Sequence, residues 1–360
     1  MSGAAPAAGD RILVVRFGSL GDVVLSFAAA AALARPGRAI AYLVKEPYAD
    51  LVRAQPWAAE VLALPDADRG AAGARRWRER LRGREWDAVL DLQASARSRY
   101  LTRGLAARTV RWRRQGLARR LWVWGRPARR LGWRPPAVRP AWLRFHDAAV
   151  ALGAGPARPP RVELPDAAAA AAQRWLEAAG GSDQDRRIAL APAAAWPTKE
   201  WPERHALALA ERLLAAGHRL LIVSTAPERE RLAALDRGLA GQARAAWFTG
   251  PLTVAAALLA RADVAVTPDS GLMHLAAAVG APVVALFGST VPELGFAPAG
   301  DGHGVLGRAL PCRPCAVHGR RVCPLGHLAC LAELAPDAVA EAVAAALAAP
   351  RAAPAPPPRG

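Results

Sequence analysis

Short apolar runs alternate with alanine-rich helical stretches along this chain, and the alternation occurs twice. In the first half the predicted strands are 11–15, 39–46, 60–65 and 86–93, and a helix at 22–34 follows the first of them. In the second half strands are predicted at 186–192, 218–225, 245–250, 263–268 and 282–288, with helices at 166–179, 202–216, 227–240, 253–261, 271–279 and 336–348. This alternation is typical of βαβ units, whose strands are parallel. The chain is therefore predicted to be an α/β protein.

A proline-rich stretch, GAGPARPPRVELP at 153–165, separates the two halves. A chain of 360 residues is too long for one ordinary core. We expect an N-terminal Rossmann-like domain over 1–165, a C-terminal one over 166–348 and a disordered tail over 349–360. The two parallel sheets are expected to face each other across a ligand cleft.

The longest apolar runs are about a dozen residues, whereas a helix that spans a bilayer needs ~20. The N-terminus, MSGAAPAAGDR, has neither the basic start nor the long apolar stretch of a signal peptide. These features predict a cytoplasmic protein.

The first predicted strand runs into RFGSLGDVVLS, which contains Gly18, Ser19, Gly21 and Asp22. The spacing is neither the dinucleotide fingerprint nor a P-loop, so it does not favour an NAD site or a Walker-type nucleotide site. Glycines here would allow backbone amides to approach a ligand closely. Asp22 has two interpretations: it caps the helix that follows, or it is a general base that takes a proton from an attacking hydroxyl.

A second loop, VTPDSGLMHLAAAVG at 266–280, carries Asp269, Ser270, Gly271 and His274 after a buried strand. The positive end of the following helix suits a diphosphate. The alternative is that Asp269 caps the helix and His274 packs in the core.

The lysine of WPTKEWP, Lys199, follows another predicted strand in a chain that has 46 arginines and two lysines. A compact ammonium there fits a phosphate contact, although a surface lysine is the alternative. Glu228 and Glu230 follow the next strand, where either could accept hydrogen bonds from a ribose or simply lie on a solvated helix face.

Positive charge is concentrated in residues 69–144, which hold 22 arginines, no lysine and four acidic residues. This net +18 equals the formal charge of the whole chain. Such a field favours an anionic partner: a nucleic acid, an acidic membrane surface or a phosphorylated glycolipid. Compositional preference for arginine explains the missing lysines but not the scarcity of acids.

Two motifs raise the question of a metal. Cys312, Cys315, Cys323 and Cys330 begin with a spacing that suits a zinc knuckle, but the later intervals are long for one. Asp66-Ala67-Asp68 is a DxD string of the kind that metal-dependent sugar transferases use. We expect no cofactor and no bound metal, with a structural zinc at the cysteines as the alternative.

Four segments together resemble the ADP-heptose:lipopolysaccharide heptosyltransferases of glycosyltransferase family 9, and the cysteine segment resembles the heptosyltransferase II branch. They are RILVVRFGSLGDVVLSFAAAAAL, WPTKEWP, DSGLMHLAAAVGAPVVALFGSTVPE and CRPC…CPLGHLAC. The resemblance implies a GT-B fold and inversion at the anomeric carbon. It also implies that Asp22 is the catalytic base in an acceptor-side loop with Gly18, Ser19 and Gly21. For the cysteine segment, the resemblance implies reduced cysteines that pack a loop.

For the donor, the resemblance makes Lys199 a diphosphate contact, and Asp269, Ser270, Gly271 and His274 further donor contacts. The adenosine ribose contact falls near Glu230, with Glu228 as the other alignment. Small polar residues often precede the family lysine, where this chain has three alanines at 193–195. That departure predicts weaker phosphate contacts or contacts from backbone amides.

The expected function is metal-independent, inverting transfer of heptose from ADP-heptose to the lipopolysaccharide inner-core oligosaccharide. The enzyme would be peripheral on the inner face of the inner membrane, with an anionic glycolipid acceptor and no nucleic-acid partner. The alternatives are a GT-B glycosyltransferase with another sugar nucleotide or acceptor, and a basic nucleic-acid-binding protein.

Overall fold

A computed structural model describes residues 10–129, 131–180 and 186–349. Contacts divide the chain into two compact units. The first runs to Arg114 and resumes over Ala141–Glu163, and the second comprises residues 115–140 and resumes at Leu164. Within the described residues, no helix is both long and apolar enough to cross a bilayer.

The first unit is a five-stranded sheet with helices. Its strands are β1 Asp10–Val15, β2 Arg38–Lys45, β3 Ala58–Leu64, β4 Ala88–Asp91 and β5 Arg108–Arg111. Its helices are α1 Leu20–Leu33, α2 Ala49–Arg53, α3 Ala71–Arg82, α4 Ala96–Thr102 and α7 Ala141–Val150. The strand order is β3-β2-β1-β4-β5, and every pair is parallel. Val14 lies opposite Tyr42 on one side and Leu90 on the other, so β1 is central and buried.

The second unit contains a six-stranded sheet in the order β11-β10-β9-β6-β7-β8, again parallel throughout. Its strands are β6 Arg187–Leu190, β7 Arg219–Val223, β8 Ala245–Phe248, β9 Val264–Pro268, β10 Val283–Leu286 and β11 Gly304–Leu306. Its helices are α5 Gly116–Trp124, α6 Arg126–Arg129, α8 Asp166–Ala178, α9 Glu203–Ala215, α10 Ala226–Arg231, α11 Ala233–Leu239, α12 Leu252–Ala260, α13 Gly271–Ala278, α14 Ala329–Ala332 and α15 Pro336–Ala348.

The prediction of an α/β protein built from two parallel-sheet domains is confirmed. Buried parallel strands have helices on both faces, so β7, β9 and β10 are buried along their whole length and appear in the sequence as continuous apolar runs. Helix α9 ends as predicted, because Gly217 adopts φ +84° directly after its last turn.

Two edge strands and one helix differ from the predictions. Two edge strands, β5 and β11, are missing from the predicted set because their exposed positions interrupt the apolar run. The helix predicted at 227–240 is two helices, α10 and α11, separated at Leu232 with φ −96° and ψ 40°.

Contacts group residues 115–140 with the second unit, whereas the predicted boundary includes them in the domain 1–165. The boundaries 1–165 and 166–348 remain predictions. The predicted tail at 349–360 lies, apart from Ala349, outside the described residues.

Candidate active site

Asp22 belongs to the first turn of α1, but it does not cap that helix. The N-cap is Ser19, whose backbone is extended, and Asp22 is the third helical residue. The interpretation of Asp22 as the helix cap is therefore wrong, because the helix begins at Leu20, two residues before the predicted start. The carboxylate of Asp22 is available for another role.

That carboxylate forms an ion pair with Arg16, the first residue after β1. Ser19 Oγ lies 3.3 Å from the same oxygen, Oδ2. Arg16 is buried, with 7% of its side chain exposed, and its Nη1 donates to the carbonyl of Leu92 at 2.7 Å. Its guanidinium also lies 5.3 Å from the centroid of the Phe145 ring. These contacts fix the position of Asp22, whose side chain remains 20% exposed.

The position of this pair in the sheet is typical of a ligand site. The strand order reverses between β1 and β4, and in doubly wound sheets ligands bind beyond the carboxyl ends of the strands at that point. The loops after these two strands meet there, because Phe17 N donates to Gln93 Oε1 at 3.1 Å. Sequence reasoning missed Arg16, although a charged residue directly after a buried strand was a usable signal.

The neighbouring glycines have structural explanations of their own. A Cβ on Gly18 would lie 3.0 Å from the ring of Tyr48, so the close approach here is to a side chain. Gly21 is buried in the first turn of α1, and Ser19 is exposed. The assignment of these three residues to an acceptor-side loop stays a prediction.

In the second unit the structure brings Lys199 and Asp269 together. Lys199 Nζ lies 2.6 Å from Asp269 Oδ2, and the side chains are 13% and 8% exposed. Thr290 Oγ1 donates to the same oxygen at 2.6 Å. The two residues are 70 positions apart in sequence, but they follow β6 and β9, which are neighbours in the sheet, and the strand order reverses between these strands. The alternative of a random surface lysine is therefore wrong.

Ser270, not Asp269, caps α13. Its Oγ accepts from the amide of Met273 at 3.4 Å and shares a hydrogen bond with Thr267 Oγ1 at 3.0 Å. The interpretation of Asp269 as the cap is wrong, since its carboxylate is occupied by Lys199 and Thr290. Gly271 begins the helix, where backbone amides lack intrahelical acceptors.

His274 is buried one turn into α13. Its ring lies 6.3 Å from the ring of Phe296 in an edge-on arrangement. The guanidinium of Arg119, also buried, lies 4.7 Å from the same Phe296 ring. A donor contact from His274 stays a prediction.

The two candidate ribose acceptors differ in their surroundings. Glu228 forms a capping box with Thr225, because its Oε2 accepts from the Thr225 amide at 2.8 Å and Thr225 Oγ1 accepts from the Glu228 amide at 3.4 Å. Glu230 is exposed, and we find no hydrogen bond or ion pair for it with any described residue. Its carboxylate is the one available to a ligand.

Several polar residues near the carboxyl ends of the strands of the second sheet were not identified from the sequence. Glu200 accepts from the amide of Ala194 at 2.9 Å and pairs with Arg231 at 2.6 Å, so that one of the three alanine amides is already occupied. Arg313 is buried and donates to the carbonyls of residues 287, 288 and 290, which holds the loop that presents Thr290. Burial lowers the pKa of Arg313.

The four cysteines are unpaired and line one cavity of about 280 Å³, together with His327 and Arg126. Among the described residues, no group of three or more His, Cys, Asp or Glu side chains has an arrangement that could hold a metal. In the DxD string, Asp68 is occupied by Arg76 and by the indole of Trp77, whose Nε1 donates at 2.8 Å. The hydrogen bond from Trp77, followed by that from Arg76, lowers the pKa of Asp68.

The sequence of this chain matches that of a known enzyme family over most of its length. A family model for glycosyltransferase family 9 (heptosyltransferase) covers residues 74–325. The chain belongs to glycosyltransferase family 9. It is thus a glycosyltransferase, as the resemblance in the sequence implied.

Individual members of family 9 extend the match. The chain is 31% identical to lipopolysaccharide heptosyltransferase 1 of Pseudomonas aeruginosa over an alignment of 333 residues that covers 85% of this chain and 86% of the relative. Lipopolysaccharide heptosyltransferase 2 of Escherichia coli is 36% identical over an alignment of 124 residues that covers 31% of this chain and 34% of that protein. The structure of E. coli heptosyltransferase WaaC with ADP superposes with a TM-score of 0.66 at 24% identity, covering 93% of this chain and 99% of that one.

Proposed function

We propose that this family 9 enzyme transfers heptose from ADP-heptose to the lipopolysaccharide inner-core oligosaccharide with inversion at the anomeric carbon. The observation that carries the proposal is the ion pair between the largely buried Lys199 and the buried Asp269, at the strand-order reversal of the second sheet. Relatives named as lipopolysaccharide heptosyltransferases and a fold neighbour solved with ADP support the choice of donor and acceptor.

The donor diphosphate binds at the edge formed by Lys199 and the start of α13. The ammonium has three donors, and Asp269 occupies one of them. A carboxylate repels phosphate, so Asp269 acts by orienting Lys199 and not by touching the diphosphate. The first amides of α13, beginning at Gly271, supply further donors.

These groups also act on the leaving group. When the bond between the anomeric carbon and the diphosphate oxygen breaks, negative charge grows on ADP. A fixed ammonium and a helix N-terminus stabilise that charge more in the transition state than in the ground state. This arrangement makes a divalent cation unnecessary, and His274 and Glu230 are assigned to the donor sugar and the adenosine ribose.

Asp22 serves as the base for the acceptor. The acceptor hydroxyl oxygen attacks the anomeric carbon, its proton passes to the carboxylate, and ADP departs from the opposite face of the sugar ring. The contacts with Arg16 and Ser19 both fall on Oδ2, which leaves Oδ1 to take the proton.

We also propose that the enzyme works as a peripheral protein on the inner face of the inner membrane. The anionic acceptor is a glycolipid, and the arginine-rich stretch 69–144 would lower the free energy of approach to anionic headgroups.

Titration calorimetry with ADP, GDP, UDP and CDP tests the nucleotide assignment without an acceptor. We expect ADP to bind more tightly than the other three, and Lys199→Met to weaken ADP binding by about tenfold or more. Arg212→Met is the matched control, because Arg212 also forms an ion pair at 2.6 Å, with Asp337, at an exposed position of α9 in the same unit. Equal affinity for all four nucleotides, or no effect of Lys199→Met, would overturn the donor assignment.

A further inference from the structure

Exposed apolar side chains are unevenly distributed over the molecule. Ten large hydrophobic side chains are exposed among the described residues, and six of them fall in two short stretches. These six residues are Leu117, Trp124, Leu131, Trp133, Val322 and Leu325. We call them, together with the arginines of the same two stretches, the apolar–arginine surface. Single exposed hydrophobic residues are ordinary, but a concentration of them marks an interaction site.

The two stretches form one part of the second unit. Arg126 Nη1 donates to the carbonyl of Cys312 at 2.6 Å, and Arg129 donates to the carbonyl of Arg313. Pro127 and Leu325 line the same cavity. Helices α5 and α6 are therefore fixed to the cysteine loop, and their exposed residues belong to a continuous surface.

Helix α5 buries Val123 but exposes two other large apolar side chains. Leu117, Arg120 and Trp124 lie at i, i+3 and i+7 on its exposed face, with 66% of Leu117 and 64% of Trp124 accessible. Arg119 is buried instead, and its Nη2 donates to the carbonyl of Val317 at 3.1 Å. Core packing does not explain why the apolar residues face outward.

The sequence stretches that carry this surface contain charged residues of one sign only. Residues 115–140 contain seven arginines and residues 312–325 contain three, with no Asp or Glu in either range. A partner must therefore supply negative charge as well as an apolar phase.

We propose that the apolar–arginine surface is the site at which this protein docks on an anionic lipid bilayer. Aliphatic side chains such as Leu117 and Leu131, the latter 90% exposed, suit the acyl boundary, and Trp124 suits the headgroup level. Arginines between them would pair with lipid phosphates. A nucleic acid would stack on the aromatic rings and pair with the arginines, but it offers no apolar phase to Leu131, Val322 or Leu325.

The assignment deepens the proposed membrane location and rests on it, but vesicle binding tests it without either substrate. The probe is sedimentation with vesicles of phosphatidylcholine alone and of phosphatidylcholine mixed with phosphatidylglycerol. We expect binding to the mixed vesicles that weakens as salt rises. The triple variant Leu117→Ser/Trp124→Ser/Leu131→Ser should bind them at least ~10-fold more weakly, since three apolar side chains lose their insertion.

Val305→Ser is the matched control, because Val305 is also exposed in the second unit but lies outside both stretches. Thermal unfolding of each variant checks that the fold is retained, as expected for exposed positions. Unchanged vesicle binding by the triple variant would overturn the proposal, as would an equal loss in the control or binding to oligonucleotides in place of vesicles. Failure of ADP binding would refute the proposed function but leave the vesicle result standing.

Discussion

Substitution of Asp22 by Asn tests whether this carboxylate performs chemistry or only neutralises Arg16. A positioned general base contributes roughly 10²–10⁴-fold to a rate. Asn has the same shape but accepts no proton, so we expect kcat for heptose transfer to fall by about that factor. Affinity for ADP should be unchanged, because the donor residues belong to the second unit.

The same substitution should cost some stability. Arg16 is buried, and it loses a charge-assisted hydrogen bond of about 1.5–3 kcal/mol. Asp22 is one-fifth exposed, and the amide oxygen of Asn still accepts a hydrogen bond, so the expected loss is at the low end, about 1–2 kcal/mol. For a chain of 360 residues that corresponds to a fall in Tm of roughly 1–3 °C.

Asp10→Asn is the matched control. Asp10 also pairs with arginines of the first unit, Arg35 and Arg38, but it lies at the opposite end of β1. Burial alone would raise the pKa of Asp10, and hydrogen bonds from these arginines outweigh it and lower that pKa. Asp10→Asn should lower Tm and leave kcat unchanged. If both variants lose stability and neither loses kcat in a radiolabelled transfer assay, Asp22 is a structural residue and the acceptor mechanism is wrong.

Three further outcomes are expected. Lys199→Met should lower kcat by about 10²-fold in the same transfer assay, as removal of one donor to a developing anion typically does. Burial raises the pKa of Cys330 to about 11. Only about a thousandth of this side chain is therefore thiolate at pH 8. After brief iodoacetamide treatment, mass spectrometry should find Cys312, which is partly exposed, alkylated before Cys330. Burial alone would raise the pKa of Glu60, but its two arginine partners outweigh burial and lower that pKa. Glu60 therefore stabilises the fold above pH 4.5 and stabilises it less as the pH falls. Glu60→Gln should reduce the free energy of unfolding in urea at pH 7 and cause little loss at pH 3.

Each of these outcomes has a contrary result. A kcat that survives Lys199→Met would remove the ammonium from the leaving-group mechanism. Equal alkylation of Cys312 and Cys330 would mean that the cysteine loop opens in solution. A stability deficit of Glu60→Gln that persists unchanged at pH 3 would show that packing, not charge, makes position 60 matter.

The sequence predicted the central strands well because burial on both faces produces continuous apolar runs. It missed β5 because an edge strand with sequence RTVR has exposed ends and no such run. It placed the start of α1 at Asp22, since an acidic residue at the beginning of an apolar helix resembles a cap. The helix begins at Leu20 instead, with Ser19 at the N-cap position and Asp22 as its third residue.

The partners of the site residues were harder to predict, for a reason that lies in the sheet. Polar residues at strand ends can be recognised from the sequence, and both Lys199 and Asp269 were recognised in this way. That they touch depends on β6 and β9 being neighbours, and strand order follows from how the whole sheet is wound. Arg16 and Asp22 are close in sequence, but their ion pair requires the chain to turn sharply between β1 and α1. In both units the candidate carboxylate is thus held by a cation at the reversal of strand order. Substitution of Arg16 should therefore disturb function through Asp22, and substitution of Lys199 through the diphosphate that it orients, even where the fold survives.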